Sequence, residues 1–226
     1  MGTPLKKNIA EIYERYRIPP WLALHMYRVA SVAVMLFDAQ TPSVGGENER
    51  AELIMACLLH DMGNIIKFDL DKLPSPVRTE RDHWETVRSD MIARYGRDEH
   101  RATLTILDEL GVSSRVRDMI DSIGFLKNAD TKEHGDVLTK IAVYADSRVV
   151  PNGVASLEER MTDMHERYSD QHPKDEPMTV KNREAIYDIE KELFTNASIR
   201  PEAITEQSIA TLRDAMKTFD IICPLG

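Results

Sequence analysis

Three stretches of this chain read as apolar helices, and each carries ionisable groups where the hydrophobic period calls for core. His25 sits in the run Trp21, Leu24, His25, Arg28, Val32, Met35 and Leu36, whose members recur three or four residues apart. His60-Asp61 closes Met55-Ala56-Cys57-Leu58-Leu59, and Asp146 follows Ile141-Ala142-Val143-Tyr144-Ala145. A carboxylate buried without a partner is so costly that Asp61 and Asp146 need strong ones. Two neutral imidazoles and two carboxylates around one divalent cation would satisfy all four groups together. Such a nitrogen and oxygen donor set suits Mn, Fe, Co, Ni or Zn. Taken singly, each group has an ordinary structural reading as well. A lone His on an apolar face is commonly a hydrogen-bonded core residue, and Asp146 has Arg148 two positions away as an ion-pair partner.

The rest of the pattern is helical too. Pro19 and Pro20 open the first long helix, and Thr41-Pro42-Ser43-Val44-Gly45-Gly46 ends it. A second helix is expected from Glu49 to His60, with Gly63 just past its end as a cap. Phe68 to Asp82 contains Pro74 and Pro76 and reads as a loop. Helices resume over Trp84–Tyr95, Glu99–Leu110, Ser114–Ile123 and Val137–Val149. Beyond Pro151-Asn152-Gly153 come Leu157–Tyr168, Arg183–Phe194 and Ile204–Phe219, with the polar stretch Ser169–Pro177 between the first two. No internal repeat and no useful strand alternation is present. The expectation is an all-α chain with an N-terminal helix in 1–19, a helical core over 20–153 and a C-terminal helical extension over 154–226 packed on that core.

Charge and cysteine content narrow the function. Against 38 acidic residues stand 29 basic ones, a formal charge of −9, with no basic block to grip a nucleic acid polymer. Cys57 and Cys223 are the only cysteines, too few for a disulfide framework or a thiolate cluster. Met1–Ala10 is polar and basic, unlike a secretory signal, and the apolar run Trp21–Phe37 is short and interrupted by His25 and Arg28. A cytoplasmic protein with no membrane association is the expectation.

The ordered set His25, His60-Asp61 and Asp146, in the words Leu24-His25-Met26-Tyr27-Arg28-Val29-Ala30, Leu58-Leu59-His60-Asp61-Met62-Gly63-Asn64 and Tyr144-Ala145-Asp146-Ser147-Arg148-Val149, resembles the HD-domain superfamily of metal-dependent phosphohydrolases. The resemblance covers about residues 20 to 153. It implies a single all-α HD-domain bundle with extra C-terminal helices, and His25, His60, Asp61 and Asp146 as ligands of one divalent ion, Mn, Fe, Co, Ni, Zn or Mg. It further implies hydrolysis of a phosphate ester in a nucleotide or similar small metabolite. Asp61 would both ligate the ion and orient or deprotonate the attacking water.

The branch within the superfamily is less marked. Bacterial 5′-nucleotidases of this family carry a glutamate where Asn64 stands, alarmone hydrolases carry Glu-Asp at Asn64-Ile65, and cyclic-dinucleotide phosphodiesterases carry a lysine and a Gly-Tyr-Pro signature. Dinuclear members, including di-iron oxygenases, add two histidines before the last aspartate. His100 resembles the first of them, so a second ion could lie beside it. Met119-Ile120-Asp121-Ser122-Ile123-Gly124 occupies the place of the second and contains none. His83 and His134 match less well and read as solvated side chains. Arg28, Lys67 and Arg148 flank the three motifs and are candidates to bind the phosphate of a small substrate. The alternatives are a non-catalytic, metal-holding HD module that senses a ligand, and a dinuclear enzyme such as a di-iron oxygenase. A homodimer is compatible with either.

Overall fold

The structure is a computed structural model that describes residues 5–72, 77–168 and 176–223. Pro74, Pro76 and nearly all of the polar stretch before Pro177 lie outside the described residues. The described chain forms helices α1 (Ile9–Arg15), α2 (Pro20–Asp38), α3 (Glu47–Leu59), α4 (Arg81–Tyr95), α5 (Glu99–Leu110), α6 (Ser114–Ser122), α7 (Asn128–His134), α8 (Val137–Asp146), α9 (Leu157–Tyr168), α10 (Pro177–Thr195) and α11 (Ala210–Met216). Short 3-10 turns link several of these. Two small antiparallel ribbons complete it: β1 (Leu5–Asn8) pairs with β4 (Asp220–Cys223), and β2 (Val149–Val150) with β3 (Gly153–Val154).

Local chemistry sets the helix ends. Pro20 occupies the first turn of α2, where its missing N–H costs nothing. The Asp98 side chain accepts from Arg101 N at the start of α5, and Gly111, with φ +71°, ends that helix in the left-handed region only glycine enters freely. Ser113 and Asp136 cap α6 and α8 in the same way.

Helix α2 is the axis of the bundle. It packs against α3, α8 and α11, and Met26, Val29, Ala30, Val32, Ala33 and Leu36 are fully buried. Burial on several sides explains why the helix is apolar enough, over 19 residues, to cross a membrane by length and composition; more than half of it is enclosed by protein. The three motif-bearing segments of the sequence therefore pack on one another: α2 carries His25, the end of α3 carries His60-Asp61, and the end of α8 carries Asp146.

Four local expectations are corrected. Residues 1–19 do not form one helix: β1 precedes the seven-residue α1, because Leu5–Asn8 pairs with Asp220–Cys223. The helix expected over Ile204–Phe219 shrinks to Ala210–Met216, since Thr205 and Ser208 bond each other's backbone N–H and favour a turn. The helix through Val149 stops at Asp146, and the next residues enter the β2–β3 ribbon. Gly63, finally, is not a left-handed cap, with φ −93°. It is small because α5 lies on it: a Cβ there would stand 2.9 Å from Ala102 Cβ and collide with the Glu99 carbonyl. The Gly63 N–H donates to Thr103 Oγ1 at 2.9 Å in the same contact.

Candidate metal centre

His60 is the most enclosed member of the site, its side chain 2 % exposed. Its Nδ1 faces the Cys57 carbonyl at 2.9 Å; a carbonyl only accepts, so Nδ1 carries the proton and Nε2 presents its lone pair. That lone pair looks at His25 Nε2 at 3.3 Å, Asp146 Oδ1 at 3.4 Å and Asp61 Oδ1 at 3.5 Å. His25 Nε2 in turn lies 3.1 Å from Asp146 Oδ1 and 3.6 Å from Asp61 Oδ2. One donor atom from each of His25, His60 and Asp61 falls within 4.8 Å of the others, a grouping able to hold an ion. The turn that carries His60 is braced from behind: buried Tyr13 of α1 donates its hydroxyl to the Leu58 carbonyl at 2.6 Å.

The fit of this cluster to a metal ion rests on its donors. Four acceptor groups converge, and among the described residues no Lys or Arg pairs with Asp61 or Asp146. Donor separations of 3.1–3.6 Å are close to, and at the upper end slightly wider than, the edges of a coordination shell, about 3.0–3.4 Å for bonds of the length usual for such ions. With protons alone to balance the carboxylates, the site draws them in. Burial by itself would depress the His60 pKa, but the Asp61 charge and the hydrogen bond to Asp146 outweigh it and push the imidazole up to about 9. Burial likewise opposes charge on Asp146, yet the hydrogen bonds from His25 and His60 hold it well below the usual carboxylate range. The residues present fit a divalent cation.

The remaining candidates separate. Arg148 does not face the site. It is buried and donates to the carbonyls of Ala155, Ile204 and Pro201 and to the Tyr144 hydroxyl, tying the end of α8 to the C-terminal segment. Helix α8 ends at Asp146 and the chain turns before β2, which carries Arg148 away from the Asp146 side. Lys67 ends the 3-10 turn after the HD pair, half-exposed, with its Nζ 3.7 Å from Glu99 Oε1. Arg28 is one turn beyond His25, its side chain 12 % exposed, and its Nε donates to both carboxylate oxygens of Glu206 at 3.0 and 3.1 Å.

His100 belongs to another cluster. Its Nε2 lies 2.7 Å from Asp121 Oδ1, and the Lys127 ammonium stands 3.3 Å from both that nitrogen and that oxygen. The His100 hydrogen bond and the Lys127 charge hold Asp121 below the ordinary carboxyl value. The chain's own ammonium thus stands against the two donor atoms that a second ion beside His100 would use. In the sequence Asp121 marks only the place of an absent histidine; in the structure it is the partner of His100. Lys127, Glu206 and Arg213 carried no motif; a carboxylate at the missing-histidine position was the one available signal. A polar groove of about 400 Å³ between α6, α7 and α8 holds none of these residues. Its arginine, Arg115, is already shared by Glu52 and Asp136.

Comparison with known proteins agrees with this geometry. The family model of the HD domain matches residues 22–183, well over half of the chain, and takes in all four converging side chains. No curated protein and no solved structure gives a significant match.

Proposed function

Because the chain belongs to the HD-domain family, a family of metal-dependent phosphohydrolases, we propose that it hydrolyses a phosphate ester of a nucleotide or similar small metabolite. The observation that carries this reading is the convergence of His25, His60, Asp61 and Asp146 with no Lys or Arg among the described residues paired to either carboxylate. A divalent cation held there supplies Lewis acidity, polarising a phosphoryl oxygen and making water a better nucleophile near neutral pH.

The chain's own groups do the rest. The Cys57 carbonyl keeps His60 in the tautomer that offers Nε2 inward. Asp146 Oδ1 lies against Nε2 of both imidazoles, on the side where the ion would sit, so it would share the ion with them. Asp61 has a side chain about one-fifth exposed, so its carboxylate meets both the cluster and solvent. It is placed to orient an attacking water and take its proton. Arg28 lies along the same face of α2 as His25 and supplies positive charge for a phosphoryl oxygen. Asn64 is buried beside the motif and, as a neutral amide, donates no proton to a leaving group.

The test is metal analysis of the purified protein followed by a phosphate-release screen of nucleotides with Mn, Co, Ni and Mg added back. The reading expects one firmly held ion per chain and metal-dependent release that Asp61→Ala abolishes. A stoichiometric ion with no release from any phosphate ester would make the protein a metal-holding sensor instead.

A further inference from the structure

We infer that Glu206, from the segment after α10, is a positioning residue that aims Arg28 at the phosphoryl group, so that the C-terminal extension completes the phosphate subsite. The inference rests on the phosphohydrolase reading above and adds to it a residue outside the matched HD region.

The contacts around Glu206 are many and specific. Its two oxygens accept from Arg28 Nε, Oε1 also accepts from Arg213 Nη1 on α11, and Oε2 accepts from the Val154 N–H of β3 at 3.2 Å. Gly153 leaves the room: a Cβ there would come within 3.2 Å of Oε2, and φ +145° disfavours any other residue. Four segments therefore meet on one carboxylate, α2, the β2–β3 ribbon, the turn bearing Glu206 itself and α11.

Two details separate positioning from simple pairing. Glu206 engages Arg28 through Nε alone, and neither terminal nitrogen of Arg28 bonds a described residue. A guanidinium gripped at Nε and open at its terminal nitrogens is set to give a two-pronged bond to an anion. The charge count points the same way. Arg28 and Arg213 share one carboxylate, leaving one surplus positive charge, whereas a one-to-one pair would leave none. With most of the Arg28 side chain buried, that surplus is screened less than a surface charge.

The experiment is calorimetric titration of inorganic phosphate into the metal-free and manganese-loaded full chain, with melting temperatures recorded for every variant. Glu206→Ala is expected to weaken phosphate binding about tenfold in both forms while metal content stays at the wild-type level, the size expected from one charge-assisted bond. Glu206→Gln, which keeps an acceptor for Arg28 Nε, is expected to recover part of the loss. Arg213→Ala removes the surplus charge with the Arg28 contact intact and is expected to weaken binding as well, which serves if Glu206→Ala does not fold. Unchanged binding in Glu206→Ala overturns the inference. Tighter binding overturns it too, since Glu206 would then be an occupant that phosphate displaces. A wild-type chain that binds no phosphate in either form instead removes the phosphohydrolase reading beneath it.

Discussion

Two histidine–carboxylate clusters sit in this molecule, and their difference lies in charge balance rather than distance. His100 and Asp121 approach to 2.7 Å, closer than any pair among His25, His60, Asp61 and Asp146. The His100 pair is 37–51 % exposed and has Lys127 against it, so its charge is met by the chain and by water. The inner cluster holds two carboxylates, one imidazole that is 2 % exposed, and no side-chain ammonium or guanidinium among the described residues. Proximity alone would rank the first as the better metal site. Burial and the missing cation rank the second, because an enclosed excess of acceptors demands positive charge from outside the chain.

The largest effect that could break this contrast is on the inner cluster. Asp61→Ala and Asp146→Ala should each lower metal affinity by more than about a hundredfold and remove hydrolysis with it. Plasma emission analysis of the dialysed variants would count the ions, and stoichiometric metal in either variant would unseat the assignment. The converse test is at the outer cluster. Lys127→Ala should leave His100 and Asp121 without their cation and admit a second, weak ion under excess zinc or manganese, seen as a rise from one to two per chain. A wild-type chain already holding two ions would erase the contrast and bring the dinuclear readings forward.

The two clusters should also respond to pH in opposite senses. In the metal-free protein the His60 pKa is raised from 6.5 to about 9, so its contribution to stability is complete below 6.5 and is lost as pH rises through 9. The Asp121 pKa is lowered, so its contribution is present above the ordinary carboxyl value near 3.8 and is lost as pH falls below that. Melting temperature of the metal-free chain should therefore fall between pH 6.5 and 9. Bound metal, which needs deprotonated ligands, should offset that fall and protect more strongly as pH rises. A metal-free melting curve flat across that range would mean His60 is not held by the two carboxylates. The smallest effect belongs to His100→Ala, an exposed pair expected to change stability by less than about 1 kcal/mol and metal content not at all.

What the sequence disclosed and what it hid follow from the same distinction. Ionisable residues interrupting an apolar period are visible in one dimension, so His25, His60, Asp61 and Asp146 could be gathered before any coordinates. So could the helices that carry them. The period also puts Arg28 on the His25 face, but it is silent on what lies opposite. Glu206 reaches Arg28 from 178 residues away, and Lys127 meets His100 across 27, separations that no helical repeat encodes. Arg148 differs for a more local reason: it is near Asp146 in the chain, but α8 ends at Asp146 and the guanidinium turns to the Pro201 and Ile204 carbonyls. The β1–β4 ribbon went unread because four residues with no alternation become a strand only when their partner arrives.

That ribbon has a bearing on how the molecule is made. Leu5 pairs with Cys223, 218 residues on, and a contact of such long span is slow for a folding chain to close. The residues directly after β1 form α1, whose Tyr13 braces the turn bearing His60. During synthesis α2 is exposed early, before α3, α8 and α11 have emerged to cover it, and it is the most membrane-like segment of the described chain. Its cover arrives in stages, α3 soon after it, α8 later and α11 near the end of the described chain. The ribbon that ties β1, and with it the start of α1, to the rest of the chain can close only once residues 220–223 have emerged.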